Sequence, residues 1–335
     1  MSGTPGADIS FDISVLIVSF NTRDVLRECM QSVRRESESL RTQVIVVDNG
    51  SVDGSQLMVE REFPEALLIR SAVNLGFAGA NNLGYRSATG RYLVLLNSDA
   101  FLAEGALLRS VRHMEETLRC GIGGGRLVGR DGSWQPSARR FPSLLDDVMV
   151  RSGLAARFPR SRFFGRFDRT WADAMEAAEV DWVPGAFSIV RGAILEKTEL
   201  FDPRFFLYYE EVDLCMRMKQ MGYSVWYWPD ICVTHLGGES SRKISSLEMS
   251  KSGSQLTLWR MRSTLLYYRK HCGRLTAATA MILERFWYWQ RFVRMRISRD
   301  PRRRETAASE KRLAAIMNQA WRETGGGKLS PVQPW

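Results

Sequence analysis

Cysteine is scarce in this sequence and never occurs in a spacing that forms a metal site or a disulfide framework. The 335 residues include five cysteines, an odd number, and no Cys-x-x-Cys pair. These absences exclude a disulfide scaffold and a thiolate zinc site. They predict a reducing compartment such as the cytoplasm.

Long apolar runs are absent as well. No stretch reaches the roughly 18 uninterrupted apolar residues of a membrane-spanning helix. Residues 1–8 also lack the basic and apolar segments of a secretion signal. We therefore expect a protein that is not secreted and does not cross a membrane by itself.

A glycine-rich phosphate loop is missing after the first predicted strand. Residues 19–23 read SFNTR, where a dinucleotide dehydrogenase would carry Gly-x-Gly-x-x-Gly. A sugar nucleotidyltransferase would need a glycine-rich, basic loop at the same point to hold a triphosphate. The sequence therefore excludes the dehydrogenase and disfavours the nucleotidyltransferase, which stays open as an alternative.

Acidic residues are nearly absent from one segment near the C-terminus. Between Leu256 and Arg304, 13 Lys or Arg residues are accompanied by only Glu284 and Asp300, in a chain whose formal net charge is +10. The same segment is rich in aromatic residues, namely Trp259, Tyr267, Tyr268, Phe286, Trp287, Tyr288, Trp289 and Phe292. Basic and aromatic residues together are typical of a segment that binds an anionic membrane surface, and they make nucleic acid a poor candidate partner.

The order of apolar runs and helical segments predicts the fold class. A length of 335 residues suits one catalytic domain with an extension. The predicted strands cover 13–20, 43–48, 66–70 and 91–96, and helical segments separate them. This alternation predicts an α/β, doubly wound, mostly parallel sheet that holds its ligand at the carboxyl ends of the strands.

Polar residues follow two of these strands. Asp48 ends one strand, and Asn97, Ser98 and Asp99 follow another. Hard divalent cations bind carboxylate oxygens, and open α/β sheets bind their ligands at the carboxyl ends of the strands. Carboxylates in this position therefore suit a divalent metal ion that is bound to a diphosphate. The pattern indicates an enzyme that uses nucleotide sugars.

Seven short strings, in the same order along the chain, resemble the inverting glycosyltransferases of family 2. The strings are 18–21 (VSFN), 46–51 (VVDNGS), 74–77 (NLGF) with Asn81 and Asn82, 95–99 (LLNSD), 182–187 (WVPGAF), 205–213 (FFLYYEEVD) and 235–240 (HLGGES). The resemblance is greatest to bacterial rhamnosyltransferase-like members that act on polyprenol-linked acceptors. It implies a GT-A (nucleotide-diphospho-sugar transferase) fold over residues 1–241, with a nucleotide-binding half at about 12–127 and an acceptor half at about 128–241. A basic aromatic helical extension over 242–304 and a tail over 305–335 would follow.

The resemblance assigns the donor nucleotide to one set of residues. Asp48 would accept a hydrogen bond from the imide N–H of uracil or thymine, since a carboxylate only accepts. The other expected donor-binding residues are Ser19, Asn21, Asn74, Asn97 and Ser98. The alternative is that Asp48 only caps the helix that follows it.

The resemblance also implies a Mg²⁺ or Mn²⁺ ion held by Asp99 and His235. Asn97 stands where the family usually has the first carboxylate of Asp-x-Asp, so a second protein ligand must come from elsewhere. His235, which is followed by Gly237 and Gly238, is the candidate. A lone histidine is more often structural, and that alternative stays open.

The family's catalytic base is the second acid of a Glu-Asp pair, and Glu211 occupies that position here. A base is needed to take the proton of the acceptor hydroxyl during inversion. The extra methylene of Glu moves the carboxylate by about 1 Å. Glu210 and Asp213 would hold the acceptor or support the site. The alternative is an acidic cluster that only complements a helix dipole.

Two further features have both a functional and a structural interpretation. Trp182 and Gly185 would shape the pocket for sugar and acceptor, although Trp182 could equally belong to the core. Arg139 and Arg140 would reach a phosphate of donor or acceptor, or else lie in solvent.

The extension has an apolar stripe at helical spacing. Ile282, Phe286, Trp289, Val293 and Ile297 fall within about 80° on a helical wheel, with Arg285 and Arg296 beside them. We expect an interfacial helix that makes the protein peripheral on the inner face of the cell membrane. The alternative is a helix packed on the catalytic domain.

The function expected from these features is metal-dependent, inverting transfer of a sugar. The expected donor is dTDP-rhamnose or another dTDP- or UDP-sugar, and the expected acceptor is a lipid-linked or polysaccharide glycan of cell-envelope synthesis. A catalytically inactive, membrane-bound scaffold is the main alternative, because Asn97 and Glu211 depart from the family pattern. A nucleic-acid-binding module is a more distant one.

Overall fold

The computed structural model describes residues 11–196, 198–237 and 254–331. The chain divides into two compact units. The sheet unit comprises residues 1–141, 158–202 and 211–240, and the helical unit comprises 142–157, 203–210 and 241–335. The expected domain boundary near residue 241 lies outside the described residues. The helical unit also takes two segments from the middle of the chain, which the sequence did not predict.

The strands all belong to the sheet unit. They are β1 (Phe11–Ser19), β2 (Thr42–Asp48), β3 (Leu67–Arg70), β4 (Gly90–Asn97), β5 (Ala100–Leu102), β6 (Cys120–Val128), β7 (Trp134–Gln135), β8 (Ala178–Val180), β9 (Phe187–Arg191) and β10 (Ser224–His235).

The helices occur in both units. They are α1 (Arg23–Glu36), α2 (Ser55–Glu62), α3 (Gly76–Tyr85), α4 (Ala106–Glu116), α5 (Leu144–Arg151), α6 (Leu154–Arg157), α7 (Gly192–Leu195), α8 (Glu210–Gln220), α9 (Ser254–Arg296) and α10 (Pro301–Glu323). The helical unit contains α5, α6, α9 and α10, together with the first residue of α8.

The sheet is mixed, with a parallel half. Its strand order is β3-β2-β1-β4-β9-β6-β10-β5, and β7 and β8 pair with β6 and β10. The first four strands are parallel, as predicted. Beyond β4, β9 runs antiparallel to both of its neighbours, β4 and β6, while β10 is parallel to β6. This is the GT-A arrangement that the sequence implied.

The register of the parallel half determines where the polar residues meet. Ser19 at the end of β1 lies opposite Asp48 on β2, and Val18 lies opposite Asn97 on β4. The three strands are buried because the apolar run of β1 is covered on both faces, as in other parallel sheets. Their carboxyl ends therefore bring the predicted donor residues to one edge.

The helical unit is held together by a reversal of α9. The helix breaks at Gly273, where φ is +86°, a conformation that glycine adopts without steric cost. Arg260 and Glu284 would lie about 36 Å apart in a straight helix, yet their side chains are 3.5 Å apart. The two halves of α9 therefore run back along each other. Among the described residues, no helix is long and apolar enough to cross a membrane.

The segment expected as a tail, 305–335, is helical as far as Glu323. Helix α10 begins at Pro301, and the side chain of Asp300 accepts a hydrogen bond from the backbone N–H of Arg302. Its apolar face is buried against both halves of α9. The cluster contains Leu258, Met261, Leu265, Tyr288, Ile316, Met317 and Ala320. The Asp-Pro cap was the sequence signal for this helix.

Candidate active site

Asp48 has one saturated and one unpartnered carboxylate oxygen. Its Oδ1 accepts hydrogen bonds from the backbone N–H of Ser51 at 3.0 Å and from Nε2 of Gln56 at 2.7 Å. Its Oδ2 is buried and has no hydrogen-bond partner among the described residues. An unpaired buried carboxylate oxygen is costly, so it suits a ligand that donates a hydrogen bond there. Neither contact of Oδ1 is with a backbone N–H of α2, whose N-terminus has no side-chain cap, so these contacts do not support the helix-capping alternative, and Oδ2 stays available to a ligand.

A chain of hydroxyl groups connects the ends of β1 and β4. The hydroxyls of Ser19 and Thr22 are 3.0 Å apart, and Thr22 Oγ1 donates to Ser98 Oγ at 3.0 Å. Asn21 adopts a positive φ of 53°, and its Oδ1 accepts the backbone N–H of Val52. These bonds hold the two loops together beside Asp48.

The side chain of Asn74 forms hydrogen bonds with the neighbouring loop residues. Its Oδ1 accepts hydrogen bonds from Asn49 Nδ2 at 2.9 Å and from the backbone N–H of Gly76 at 2.8 Å. The amide of Asn49 is buried and also binds the backbone N–H of Leu75. Asn74 therefore lies in the predicted donor region, with its side-chain oxygen committed to the protein.

The turn after β4 is anchored from both sides. The backbone N–H of Asn97 donates to the carbonyl of Ala186 at 3.1 Å, and its carbonyl accepts a bond from Sγ of Cys29. Asp99 is buried. Burial raises the pKa of the Cys29 thiol, so this thiol is an inert neighbour of the turn.

Asp99 and His235 lie together although 136 positions separate them in the chain. Strand β10 pairs with β5 so that His235 lies opposite Ala100, and Nε2 of His235 is 3.5 Å from Oδ1 of Asp99. Nδ1 of His235 is 2.9 Å from Oε1 of Gln135, whose Nε2 donates to the backbone carbonyl of His235. With the Gln135 amide oriented in this way, Nδ1 is the nitrogen that would donate to Oε1, and Nε2 faces Asp99.

This pair fits a divalent cation as a partial ligand set. Nε2 of a neutral imidazole and a carboxylate oxygen are both suitable donors for Mn²⁺, and the carboxylate suits Mg²⁺. Among the described residues, no group of three or more His, Cys, Asp or Glu side chains could hold a metal. The remaining ligands would have to come from a diphosphate and water, as is common for Mg²⁺.

Glu211 has a shielded, unpartnered carboxylate oxygen. Its Oε2 is buried and has no hydrogen-bond partner among the described residues. Burial raises the pKa of Glu211, while the backbone N–H groups nearby and the positive charge of Arg139 oppose that rise. A carboxylate with a raised pKa and a buried, unpartnered oxygen has the properties of a general base.

Gly185 lies beside Glu211, and the residue after it binds the turn that follows β4. A methyl group added at Gly185 would lie 3.5 Å from the ring of Phe77 and 3.8 Å from Cβ of Glu211. The next residue, Ala186, accepts the backbone hydrogen bond of Asn97. The absence of a side chain at Gly185 therefore leaves space directly beside the candidate base.

The residues before Glu211 are held in an unusual backbone conformation. Tyr208 and Tyr209 both have φ of 70°, which is strained for bulky residues and requires support from surrounding contacts. Within the helical unit, three residues of α9 spaced four apart contact this segment. Trp259 packs its ring on Phe206, Ser263 donates to the carbonyl of Leu207, and Tyr267 packs on Tyr209.

The two other acids of this region lie in protein interior. Glu210 is buried in the helical unit, and Asp213 is fully buried in the sheet unit. Oδ2 of Asp213 pairs with Nε of Arg217 at 2.8 Å, and Arg217 also binds the carbonyls of Glu199 and Leu200. This arrangement favours the supporting role for Asp213 over direct contact with an acceptor.

Trp182 and the two arginines of its neighbourhood have different environments. Trp182 is buried, its Nε1 donates to the carbonyl of Arg140, and the Arg139 guanidinium covers its ring at 5.0 Å. These contacts favour the core alternative for Trp182. Arg139 also pairs with Asp168 at 3.1 Å, whereas the side chain of Arg140 is largely exposed. No pattern in the sequence indicated Gln135, Gln56 or Asp168, the acid that pairs with Arg139.

Comparison with known proteins identifies the sequences that this chain resembles. Residues 14–175 match the family model described as Glycosyl transferase family 2. The chain is 26% identical over 234 residues to N-acetylglucosaminyl-diphospho-decaprenol L-rhamnosyltransferase of Mycobacterium tuberculosis (strain ATCC 25618 / H37Rv), covering 67% of this chain and 75% of that protein. It is 24% identical over 273 residues to rhamnosyltransferase WbbL of Escherichia coli (strain K12), covering 76% of this chain and 92% of that protein.

Among solved structures, the chain resembles a mannosyltransferase from Pyrobaculum calidifontis that was determined in complex with GDP-Man and Mn²⁺. The TM-score is 0.50 at 15% sequence identity, and the match covers 96% of this chain and 77% of the other. At this identity the likeness supports the fold.

Proposed function

Because this chain carries a glycosyl transferase family 2 domain and is a glycosyltransferase, we propose that it catalyses metal-dependent, inverting transfer of L-rhamnose from dTDP-rhamnose. The proposed acceptor is a lipid-linked or polysaccharide glycan of cell-envelope synthesis. Two relatives whose names specify rhamnosyltransferases support the sugar, and one name that specifies a diphospho-decaprenol acceptor supports the lipid link.

The donor base is bound by Asp48 in this proposal. The buried Oδ2 accepts the imide N–H of thymine or uracil, while Ser51 and Gln56 hold Oδ1 and fix the orientation of the carboxylate. Adenine has no ring N–H to donate to this oxygen, so the contact favours thymine or uracil over adenine, whereas guanine has a ring N–H and would be rejected through the larger size of its purine ring.

The diphosphate is bound at the turn after β4. Asp99 and His235 would hold a Mg²⁺ or Mn²⁺ ion, and Gln135 orients the imidazole from behind. When bound, this ion would neutralise the negative charge that develops on the departing nucleoside diphosphate. The neutral side chain of Asn97 reduces the negative charge of the site, which makes His235 the second protein ligand.

Glu211 is the proposed catalytic base. Its buried, unpartnered Oε2 is the observation that carries the mechanism. Its Oε2 takes the proton from the acceptor hydroxyl as that oxygen forms a bond to the anomeric carbon. The bond from the anomeric carbon to the phosphate oxygen breaks at the same time, and the nucleoside diphosphate leaves with the bonding electrons. Attack from the side opposite the leaving group inverts the configuration. An unpartnered, solvent-shielded oxygen with a raised pKa supports this role.

A lipid-linked acceptor would place the enzyme at the inner face of the cell membrane. The basic, aromatic composition of the helical unit supports this peripheral location.

A transfer assay tests the proposed function directly. The full-length enzyme is incubated with Mn²⁺, a polyprenol-diphosphate-linked N-acetylglucosamine acceptor, and dTDP-rhamnose, UDP-glucose or GDP-mannose in parallel. The proposal expects glycosylated lipid from dTDP-rhamnose and loss of the product with EDTA. Donor binding without transfer to any lipid-linked or polysaccharide acceptor would favour the inactive scaffold suggested by Asn97 and Glu211.

A further inference from the structure

The second half of α9 exposes a continuous apolar stripe. Leu275, Ile282, Phe286, Trp289 and Ile297 are between 55% and 84% exposed. They project within about 80° of one another, and from first to last they span about 33 Å along the helix direction. The rings of Phe286 and Trp289 stack on each other with centroids 6.0 Å apart. Such a contiguous exposed stripe indicates an interaction surface.

The opposite face of the same helix is already buried. Ala277, Ala280, Glu284 and Tyr288 are buried within the helical unit, where Tyr288 packs with residues of α10. Glu284 accepts the hydroxyl of Tyr288 at 2.8 Å and pairs with Arg151 at 3.0 Å. The core of this unit is therefore formed without the stripe, and burying the stripe is not needed to complete it.

The exposed charged residues that α9 carries beside the stripe are all positive. Arg285, Arg294 and Arg296 are exposed, and the helix ends in the basic residues that precede Asp300. The only acid between Leu275 and Arg299 is Glu284, which is buried and neutralised by Arg151 and Arg260. Long arginine side chains can extend to phosphate groups while neighbouring aromatic rings enter the apolar layer.

This charge pattern favours an anionic lipid surface over a second copy of the chain as the binding partner of the stripe. A second copy of this chain seated on the stripe would bring arginines against arginines, which costs free energy. An anionic lipid surface supplies negative phosphates on both sides of an apolar strip that lies parallel to it.

We infer that this face of α9, from Leu275 to Ile297, is a docking surface for an anionic lipid bilayer. The helix lies in the plane of the interface, with Phe286 and Trp289 inserted and Arg285 and Arg296 at the phosphates. This inference deepens the proposed function by naming the contact that would hold the enzyme near a lipid-linked acceptor. Vesicle binding itself requires no sugar transfer.

The test measures co-sedimentation of the full-length protein with vesicles. Vesicles of phosphatidylcholine with 30% phosphatidylglycerol are compared with pure phosphatidylcholine, at low and high salt. Wild type is expected to bind the anionic vesicles, with weaker binding at high salt. Phe286→Ser/Trp289→Ser should weaken this binding at least about tenfold, because each ring loses favourable burial. Arg285→Gln/Arg296→Gln should weaken it and reduce the salt dependence.

Matched controls separate this surface from general effects. Phe163→Ser/Leu118→Ser removes exposed apolar residues of the sheet unit, and Arg35→Gln/Arg86→Gln removes exposed arginines there. Both controls, and Glu211→Gln, should bind vesicles as wild type does. Equal vesicle binding by wild type and Phe286→Ser/Trp289→Ser would overturn the inference. Failure of wild type to bind anionic vesicles would also overturn it. A dimer in lipid-free solution that Phe286→Ser/Trp289→Ser dissociates, without any lipid binding, would instead identify an interface between copies.

Discussion

Nε2 of His235 lies 3.5 Å from Oδ1 of Asp99, while the other ring nitrogen is held by Gln135 at 2.9 Å. Gln135 thus fixes the orientation of the imidazole, and Nε2 faces the buried carboxylate of Asp99. Partners of this kind fix the tautomer and the direction of a metal-binding histidine, and their loss typically weakens metal affinity by about 10- to 100-fold.

Removing the group that orients His235 should therefore reduce metal affinity. For Gln135→Leu we expect the Mn²⁺ concentration that gives half-maximal transfer to rise by about 10-fold or more. His235→Ala should give at least as large a rise. The control is Gln31→Leu, which changes an exposed glutamine of α1. An unchanged Mn²⁺ requirement in both His235→Ala and Gln135→Leu would remove His235 from the metal site.

Replacing Glu211 by Gln should separate catalysis from donor binding. The amide has nearly the same size but cannot take a proton, so transfer should fall by about 10²- to 10⁴-fold. Nucleotide affinity, measured by calorimetry, should stay near that of wild type because Asp48 and Asp99 are unchanged. Full activity of Glu211→Gln would show that another group is the base.

The pH dependence of transfer should respond to Arg139. The base must be deprotonated, so activity falls as pH drops through the pKa of Glu211. Burial raises this pKa and the positive charge of Arg139 lowers it, so removing the charge should raise the pKa further. For Arg139→Met we expect the acidic limb of the kcat profile to move to higher pH.

The neighbouring arginine provides the control for this shift. Arg140 is largely exposed and lies 4.0 Å from Asp181, so Arg140→Met should leave the acidic limb in place. A shift of the same size in both variants would indicate a general electrostatic effect. A shift to lower pH in Arg139→Met would contradict the assignment of Glu211.

The contacts of α9 with the segment before Glu211 should affect turnover. Ser263 donates to the carbonyl of Leu207 at 2.8 Å, and Tyr267 packs on Tyr209 with ring centroids 5.3 Å apart. Without them the strained tyrosines can relax and displace the candidate base. We expect Ser263→Ala/Tyr267→Leu to lower kcat on the order of tenfold or more, with little change in nucleotide affinity.

Thr276→Ala is the matched control for this pair of changes. The Thr276 hydroxyl donates to the carbonyl of Cys272 within the same helix, a contact that does not involve the segment before Glu211, so its loss should leave kcat unchanged. Circular dichroism melting would show whether either variant is globally destabilised. Unchanged kcat in Ser263→Ala/Tyr267→Leu would mean that these contacts do not position the base.

The features that depend on local patterns could be predicted from the sequence. Continuous apolar runs are typical of buried parallel strands, and they predicted β1, β2 and β4. The position of Asp48 followed because it is the last residue of β2. The family resemblance indicated Asp99 and His235 together. Their actual proximity depends on the antiparallel pairing of β5 with β10, which no local pattern encodes.

Long-range packing explains what the sequence did not predict. Gln135 lies on a two-residue strand, and its link to His235 depends on contacts 100 positions apart in the chain. The inclusion of 142–157 and 203–210 in the helical unit depends on packing against α9. Four of the five residues predicted for the apolar stripe of α9 are exposed, namely Ile282, Phe286, Trp289 and Ile297, whereas Val293 is half-buried and Leu275 was not predicted.

Calorimetric titration of nucleoside diphosphates tests whether the donor site selects a pyrimidine diphosphate through Asp48 and a metal ion at Asp99. Full-length protein with Mn²⁺ is titrated with dTDP, UDP, GDP and ADP, then again with EDTA and as the Asp99→Ala variant. We predict that dTDP and UDP bind at least about tenfold more tightly than GDP and ADP, and that EDTA or Asp99→Ala abolishes or greatly weakens their binding. Equal affinity for purine and pyrimidine nucleotides, or binding that is indifferent to both EDTA and Asp99→Ala, would contradict this prediction.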